Sequence, residues 1–450
     1  MAELRVDLYG TVVGNISGER DRFDFTASRD GLERFGVASS ILSVAVPLVR
    51  YRGRRAADPA PRRAFFEELL AEGGARRTLA ANARLDTDNT VGLLARYGRD
   101  TAGALQISDE SDPAEPRTPE AKPVSAAEIA RMFREVATAP LGNSGRRRVS
   151  SLAGVQDKVL LVRLTDGGWA EPLDGWPSTH ILKPLNTRTP SLIFDEEYGS
   201  RLVHAVGLAT FATAIESFDG TNALVVERFD RDADGARIHQ EDFNQALSLI
   251  GDRKYEDPTE TDRLRRIAAV LSTHSGDRDL HRLLRMTTLS VLIRNFDMHA
   301  KNIALLHTED GGVHLAPMYD VIPSGHLEVD PEFALAVNGR RHVDQVTLAD
   351  VIAEGRSWGI RHPDQIVLEV AEQVVHAART EQPHPGAHGG LDAAVEHAAT
   401  SLLDGHAGAS TRVRDVTSAG RGTASCADDD RSGGAAPLKQ NPGGWGGPVG

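Results

Sequence analysis

Polar and apolar positions alternate from the start of the chain. Leu4-Arg-Val-Asp-Leu-Tyr alternates, Gly10 supplies a turn and Val12-Val13-Gly14-Asn15-Ile16 returns, which predicts strand–turn–strand. A second extended stretch is expected over 41–49, ahead of a basic loop and Pro61. Phe65, Phe66, Leu69 and Leu70 then share one helical face, and Thr90-Val-Gly-Leu-Leu-Ala-Arg-Tyr97 predicts another helix. These elements make a small α+β unit over 1–107. Residues 108–123 are acidic and proline-rich and read as a linker. Ser125-Ala-Ala-Glu128 is a capping box, and Ile129, Met132, Phe133 and Val136 form the buried stripe of the helix it opens.

From Val149 the pattern predicts a loop, a strand over 158–164, a turn at Asp166-Gly-Gly and a strand over 179–183. A helix over 194–206 and a strand over 222–229 follow. Residues 241–250, 262–274, 279–294 and 364–380 carry the helical period. Strands precede helices, so the chain is expected to be α+β, with a sheet-rich region over 124–230 and a helical lobe over 231–400. Periodicity stops near 405, where Gly, Pro, Ser and the Asp428-Asp-Asp run take over. Such a segment cannot offset its ordering entropy, and 401–450 is expected to be a disordered tail.

Composition narrows the class. The 450 residues are 40% hydrophobic and 26% charged, as in soluble globular proteins. No apolar run approaches the roughly 18 residues that span a bilayer. Met1-Ala-Glu-Leu-Arg-Val-Asp carries charge where an export signal has its apolar segment, and the one cysteine, Cys426, suits a reducing compartment. A cytoplasmic protein without a membrane role is expected. The net charge of −13 does not draw nucleic acid to the molecule as a whole, and Arg146-Arg147-Arg148 reads as a solvated loop.

The candidate chemistry centres on Asn295-Phe-Asp297-Met-His299-Ala300-Lys301-Asn302, followed by a hairpin signal at Asp310-Gly-Gly and then by Met318-Tyr319-Asp320. Phosphoryl transfer needs a carboxylate for the incoming hydroxyl, and oxygen ligands that hold Mg against the phosphates. An Asp five residues before an Asn is the spacing of the protein-kinase catalytic loop, and a second Asp after a hairpin completes the metal site. Asp297, Asn302 and Asp320 meet that description. A metallohydrolase built on Asp297-Met-His299 would need further histidines at site spacing, and none completes a set.

Three other segments support this reading. Ser150-Ser151-Leu-Ala153-Gly154-Val155-Gln156-Asp157-Lys158 is a small-residue loop entering a strand, able to turn N–H groups toward phosphates. His180-Ile-Leu-Lys183-Pro ends an apolar strand in lysine, and Glu196 and Glu197 on the next helix offer a carboxylate to orient it. Glu227-Arg228-Phe229 follows Ala223-Leu-Val-Val at the expected passage between lobes, where backbone groups meet an adenine edge.

Taken with His239-Gln-Glu-Asp-Phe243, Ala-Pro-Met-Tyr-Asp320 and Gly98-Arg-Asp-Thr-Ala-Gly-Ala-Leu105, these motifs resemble those of the HipA-type kinases over about residues 3–385. The resemblance implies a two-lobed protein-kinase-like fold with an additional amino-terminal subdomain. It implies an ATP- and Mg-dependent serine/threonine kinase, the toxin of a toxin–antitoxin pair. Its substrate would be a cytosolic translation protein, an aminoacyl-tRNA synthetase such as glutamyl-tRNA synthetase. A HipB-like helix-turn-helix antitoxin would be the partner, with operator DNA engaged only through that complex. By matching positions, Asp297 is the catalytic Asp, and Asn302 and Asp320 are the Mg ligands. ATP is surrounded by Ala153 to Lys158, Lys183, Glu227 to Phe229, His299 to Asn302, Tyr319 and Asp320. Ser151, or its neighbour Ser150, is the autophosphorylated serine. The competing readings are a small-molecule phosphotransferase of the aminoglycoside- or choline-kinase kind, and an inactive kinase fold acting as a corepressor module.

Overall fold

The structure, a computed structural model, describes residues 2–50, 58–145 and 147–419, with side chains described from 3 to 406 within those ranges. The alternating start forms β1 (Ala2–Leu8), β2 (Thr11–Glu19) and β3 (Arg22–Ala27), an antiparallel meander that places Leu4, Val6, Leu8, Val13 and Ile16 inside. Helices α1 (Arg29–Phe35), α2 (Ala60–Glu67), α3 (Gly73–Ala83) and α4 (Thr90–Tyr97) follow, and β4 (Gln106–Asp109) returns beside β1. The expected strand over 41–49 is reduced to one bridge, Ser39 to Leu48. Ser43 Oγ accepts from the N–H groups of Ala45 and Val46, which folds the segment on itself while Ile41, Leu42 and Val46 stay buried.

Residues 108–123 are not the free linker expected. Their ends lie in β4 and in β5 (Glu120–Val124), and Arg117 between them pairs with Asp112 at 2.7 Å and Asp174 at 3.3 Å. The capping box forms as expected: Ser125 opens α5 (Ala126–Glu135), and its stripe packs on the central sheet against Val159, Leu161, Leu182 and Val225. That sheet adds β6 (Val159–Arg163), β7 (Trp169–Leu173), β8 (His180–Pro184), then, after α6 (Leu192–Ala205), β9 (Thr213–Phe218) and β10 (Thr221–Glu227), in the order β5-β7-β6-β8-β10-β9.

The helical lobe opens with a departure from the periodicity. Residues 239–242 form β11 (His239–Asp242), paired with β12 (Ala304–His307), and the helix expected over 241–250 shrinks to α7 (Phe243–Ala246). Asp242 caps that turn, and Ser248 at φ 55° ends it. Helices α8 (Arg263–His274) and α9 (Asp277–Leu292) precede β12, which turns at Asp310-Gly-Gly into β13 (Val313–Leu315). Then come β14 (Glu332–Val337), β15 (Arg340–His342), α10 (Leu348–Ser357), α11 (Pro363–Thr380) and α12 (Leu391–Ala419). Buried α9 residues such as Leu283, Leu284 and Leu289 anchor the lobe's core. Helix α12 carries the chain past 401, where the disordered tail was expected to begin; residues 420–450 lie outside the described residues. Among the described residues no helix is long and apolar enough to cross a membrane.

The amino-terminal unit is bonded to both lobes. Buried Asp100 lies 3.2 Å from Arg231 and 4.0 Å from Arg228, while Arg228 also pairs with Asp230 at 2.7 Å and donates to Thr101 O at 2.8 Å. Tyr9 Oη donates to His307 O at 2.5 Å. Arg148 departs from the solvated loop expected of the basic triplet, whereas Arg147 stays exposed. Arg146 lies outside the described residues, Arg147 pairs with Asp174 and Glu120, and Arg148 is buried, donating to Leu141 O and Leu160 O. Its guanidinium bonds two buried backbone carbonyls, and burial lowers its pKa to about 10.

Candidate active site

Helix α9 stops at Leu292, and the chain turns back through a loop that a 3₁₀ turn, Ala300–Asn302, closes. Asn302 Nδ2 donates to Asp297 O at 2.9 Å, so the five-residue spacing ties its two ends together. The hairpin of β12 and β13 then carries the chain to Asp320, whose φ of 57° is a left-handed conformation uncommon for a side-chain-bearing residue.

Lys183 comes from β8 and lies at the centre. Its Nζ is 2.6 Å from Glu196 Oε1 and 2.6 Å from Asp320 Oδ1. Helix α6 can come this close because residue 199 is glycine: a Cβ there would lie 2.1 Å from Val321 O, in the segment that follows Asp320. Of the two glutamates considered for Lys183, Glu197 instead pairs with Arg201 at 3.0 Å.

These groups perturb one another. Burial raises Asp297 to about 7; a hydrogen bond from Tyr255 Oη at 2.9 Å opposes the rise and nearby Asp320 adds to it. Burial would raise Asp320 as well, but the Lys183 ammonium outweighs it and holds this carboxylate well below its usual range. Burial raises Glu196 to about 7 despite Lys183, and lowers His299 to about 3. Lys158 falls to about 8, through burial first and the charge of Lys183 second.

The loop from Ala153 to Lys158 borders this cluster. Lys158 Nζ donates back to Ala153 O at 2.7 Å, and Gly154 stands at φ 103°, where a Cβ would lie 2.5 Å from Lys158 Nζ. Val155 and Asp157 are exposed and Gln156 half-buried. On the opposite side Phe229 and Tyr319 face each other with ring centroids 5.1 Å apart, beside Phe211. A narrow cleft lined by Phe211, Val226, Met318 and Tyr319 reaches Glu196 and Asp320. Glu227 is exposed at the end of β10 and accepts from Ala212 N–H at 3.0 Å.

Several expected site residues have their side chains elsewhere. The guanidinium of Arg228 is taken up by Asp230, Ser178 and Thr101 at the junction with the amino-terminal unit. Lys301 turns to that unit too, bonding Glu68 at 2.5 Å, and burial leaves its charge intact because Asp242 and Glu68 lie close. Tyr319 Oη donates to Lys301 O at 2.6 Å, which keeps the turn against the cleft, and Ala300 is fully buried. Ser150 Oγ donates to Asp100 Oδ2 at 3.1 Å and Ser151 Oγ to Leu69 O at 3.2 Å; both serines are buried.

Three residues that the sequence did not single out join the site. Glu72, just before α3, accepts from Gly154 N–H at 3.0 Å and from Lys254 Nζ at 2.9 Å. Lys254 ends a short 3₁₀ turn, Gly251–Lys254, and Tyr255 beside it bonds Asp297. No local pattern marks them, since their partners are remote in sequence.

Comparison with known proteins fits this geometry. Residues 4–108 match the HipA N-terminal domain and residues 150–381 the HipA-like C-terminal domain, together most of the described chain. The chain belongs to the HipA family. A putative kinase, Y4mE, of Sinorhizobium fredii is 38% identical over 310 residues, 65% of this chain and 70% of the relative. The serine/threonine-protein kinase toxin HipA of Shewanella oneidensis is 26% identical over 294 residues, 61% of this chain and 66% of that protein. A solved complex of Shewanella oneidensis MR-1 HipA with HipB and its operator DNA aligns at a TM-score of 0.70 and 24% identity, covering 89% of this chain and 96% of that one. The HipA fold, α+β with its amino-terminal domain, is thus the fold of this chain. The HipA amino-terminal domain contributes Glu72, which bonds Gly154 and Lys254, and Glu68, which holds Lys301.

Proposed function

We propose that this HipA-family chain is an ATP- and Mg-dependent serine/threonine protein kinase. The observation that carries the reading is the bridge of Lys183 between Glu196 and Asp320, set beside an Asp297–Asn302 loop. A phosphotransferase has to hold polyphosphate charge, place a hydroxyl and accept its proton. Lys183 is aimed by Glu196 to contact phosphate oxygens once its bond to Asp320 loosens. Asn302 and Asp320 would hold magnesium. One carboxylate and one amide suit a cation that keeps water and phosphate ligands, and no group of three metal-ligating acidic, histidine or cysteine side chains occurs among the described residues. Magnesium supplies charge neutralisation at the phosphates. Asp297, its side chain 29% exposed, would meet the acceptor hydroxyl and take up its proton. Phe229 and Tyr319 offer flat apolar faces to an adenine ring, with backbone groups of 227–229 at its edge.

The same reading makes the chain a cytoplasmic toxin. Its antitoxin would be a HipB-like helix-turn-helix protein, which contacts operator DNA on behalf of the complex; the Shewanella assembly supports that pairing. The substrate would be a translation protein of the aminoacyl-tRNA synthetase class, such as glutamyl-tRNA synthetase. Ser151, or Ser150, would be the serine the kinase modifies on itself. The test is phosphoproteomics after brief induction of wild type and Asp297→Ala. A cytosolic protein serine phosphorylated only by wild type is expected; identical phosphoproteomes would refute the assignment.

A further inference from the structure

Gly154 N–H of the phosphate-binding loop and Lys254 Nζ converge on one anionic group. Each bonds a different oxygen of the same carboxylate, Glu72, at 3.0 and 2.9 Å. Lys301 stands 3.6 Å from Glu72 but is already committed to Glu68 and Asp242. Next to Lys254 in the chain, Tyr255 reaches across to donate to Asp297 at 2.9 Å. The place held by the carboxylate is therefore an anion position between the phosphate loop and the acceptor side of the catalytic Asp.

We propose that Lys254 is a further catalytic residue, which contacts the transferring phosphoryl group at the position where Lys254 and Gly154 N–H now grip Glu72, and that Tyr255 is a positioning residue for Asp297. The proposal rests on the kinase reading above. In the transfer step the acceptor oxygen bonds to the γ-phosphorus while the bond to the β–γ bridging oxygen breaks. The hydroxyl proton goes to Asp297, and ADP leaves with the electron pair. Lys254 forms and breaks no covalent bond. Its charge lies against the γ-phosphoryl oxygens, where a preorganised cation stabilises the transition state. The Glu72 carboxylate takes up both donors in this structure, so a γ-phosphoryl group entering there has to displace it, and ADP, which has no γ-phosphoryl group, does not.

Binding of Mg-ATP and of Mg-ADP is measured on the full chain by titration, and Mg-ATP turnover alongside. Lys254→Gln is expected to weaken ATP about tenfold relative to ADP and to slow turnover by roughly 10²–10³-fold. Lys254→Arg should recover part of both, and Glu72→Gln should favour ATP over ADP relative to wild type. The ATP-to-ADP affinity ratio is independent of the folded fraction, so poor folding of a variant does not obscure it. Full turnover by Lys254→Gln overturns the proposal, as does an equal loss of ATP and ADP affinity, which marks a merely structural lysine. A wild-type protein that neither binds nor turns over ATP refutes the kinase reading itself, and the role of Lys254 with it.

Discussion

Asp320 and Asn302 differ in charge, and their substitutions should differ accordingly. Asp320→Ala leaves triphosphate charge unshielded, so phosphotransfer should fall by roughly 10²–10³-fold or more. Asn302→Ala should lose less, because water replaces a neutral amide ligand more readily. Single-turnover transfer from labelled ATP measures both, and near-normal transfer by Asp320→Ala with Mg would remove this residue from the site. Lys183 also carries stability. Its side chain is 8% exposed and that of Glu196 6%, so Lys183→Met leaves Glu196 and Asp320 without their shared cation. Breaking a buried pair from one side costs about 3–5 kcal/mol. A urea midpoint unchanged from wild type would contradict that account.

At the scale of the element, the loop proposed to bind phosphate is held in place by remote partners. Ser151 bonds Leu69 O and receives Ala71 N–H at 3.0 Å, and Ser150 bonds Asp100, so neither hydroxyl can be phosphorylated while the loop is seated. A phosphate adds about −1.5 to −2 charge, which the buried site beside Asp100 cannot accept. Self-phosphorylation at Ser151 should therefore keep the loop out and weaken nucleotide binding. Arg148 cannot receive that phosphate without leaving its two buried carbonyls. Peptide mass spectrometry after incubation with Mg-ATP, and nucleotide titration of the product, test this. Phosphoprotein that binds ATP as tightly as the Ser150→Ala, Ser151→Ala double mutant would sink the idea.

Over the whole molecule, buried charge joins the amino-terminal domain to the kinase lobes. Burial alone would raise Glu72, but the ammonium groups of Lys301 and Lys254 outweigh it and hold it at about 2, against an ordinary value of 4.5. The stability this depressed carboxylate contributes is fully present above 4.5 and disappears as pH falls through about 2. Arginines likewise depress Asp100 and Asp230 at the same junction, against their burial. The urea midpoint should drop on acidification below about 4.5, with a shallower fall in Glu72→Gln. An identical pH dependence in that variant would show that other carboxylates, such as Asp100 and Asp230, rather than Glu72, set acid sensitivity. Expression without an antitoxin should arrest growth, and Asp297→Ala should be harmless; arrest by Asp297→Ala would place toxicity outside phosphotransfer.

What the linear chain determined by itself was whatever depends on near neighbours. The capping box at Ser125, the strand ending at Lys183, the helix bearing Glu196 and the Asp297–Asn302 loop are all local, because period, caps and short spacings act within a few residues. The tertiary structure decided what depends on remote partners. Pairing with β12 converted 239–242 into a strand and cut short the helix expected over 241–250. Buried carbonyls drew Arg148 out of solvent, and Asp230 drew Arg228 away from the proposed nucleotide side. Glu72 meets Gly154 and Lys254 only because the start of α3 packs beside the 153–158 loop, and a carboxylate 182 residues from its lysine leaves no periodic trace in the chain.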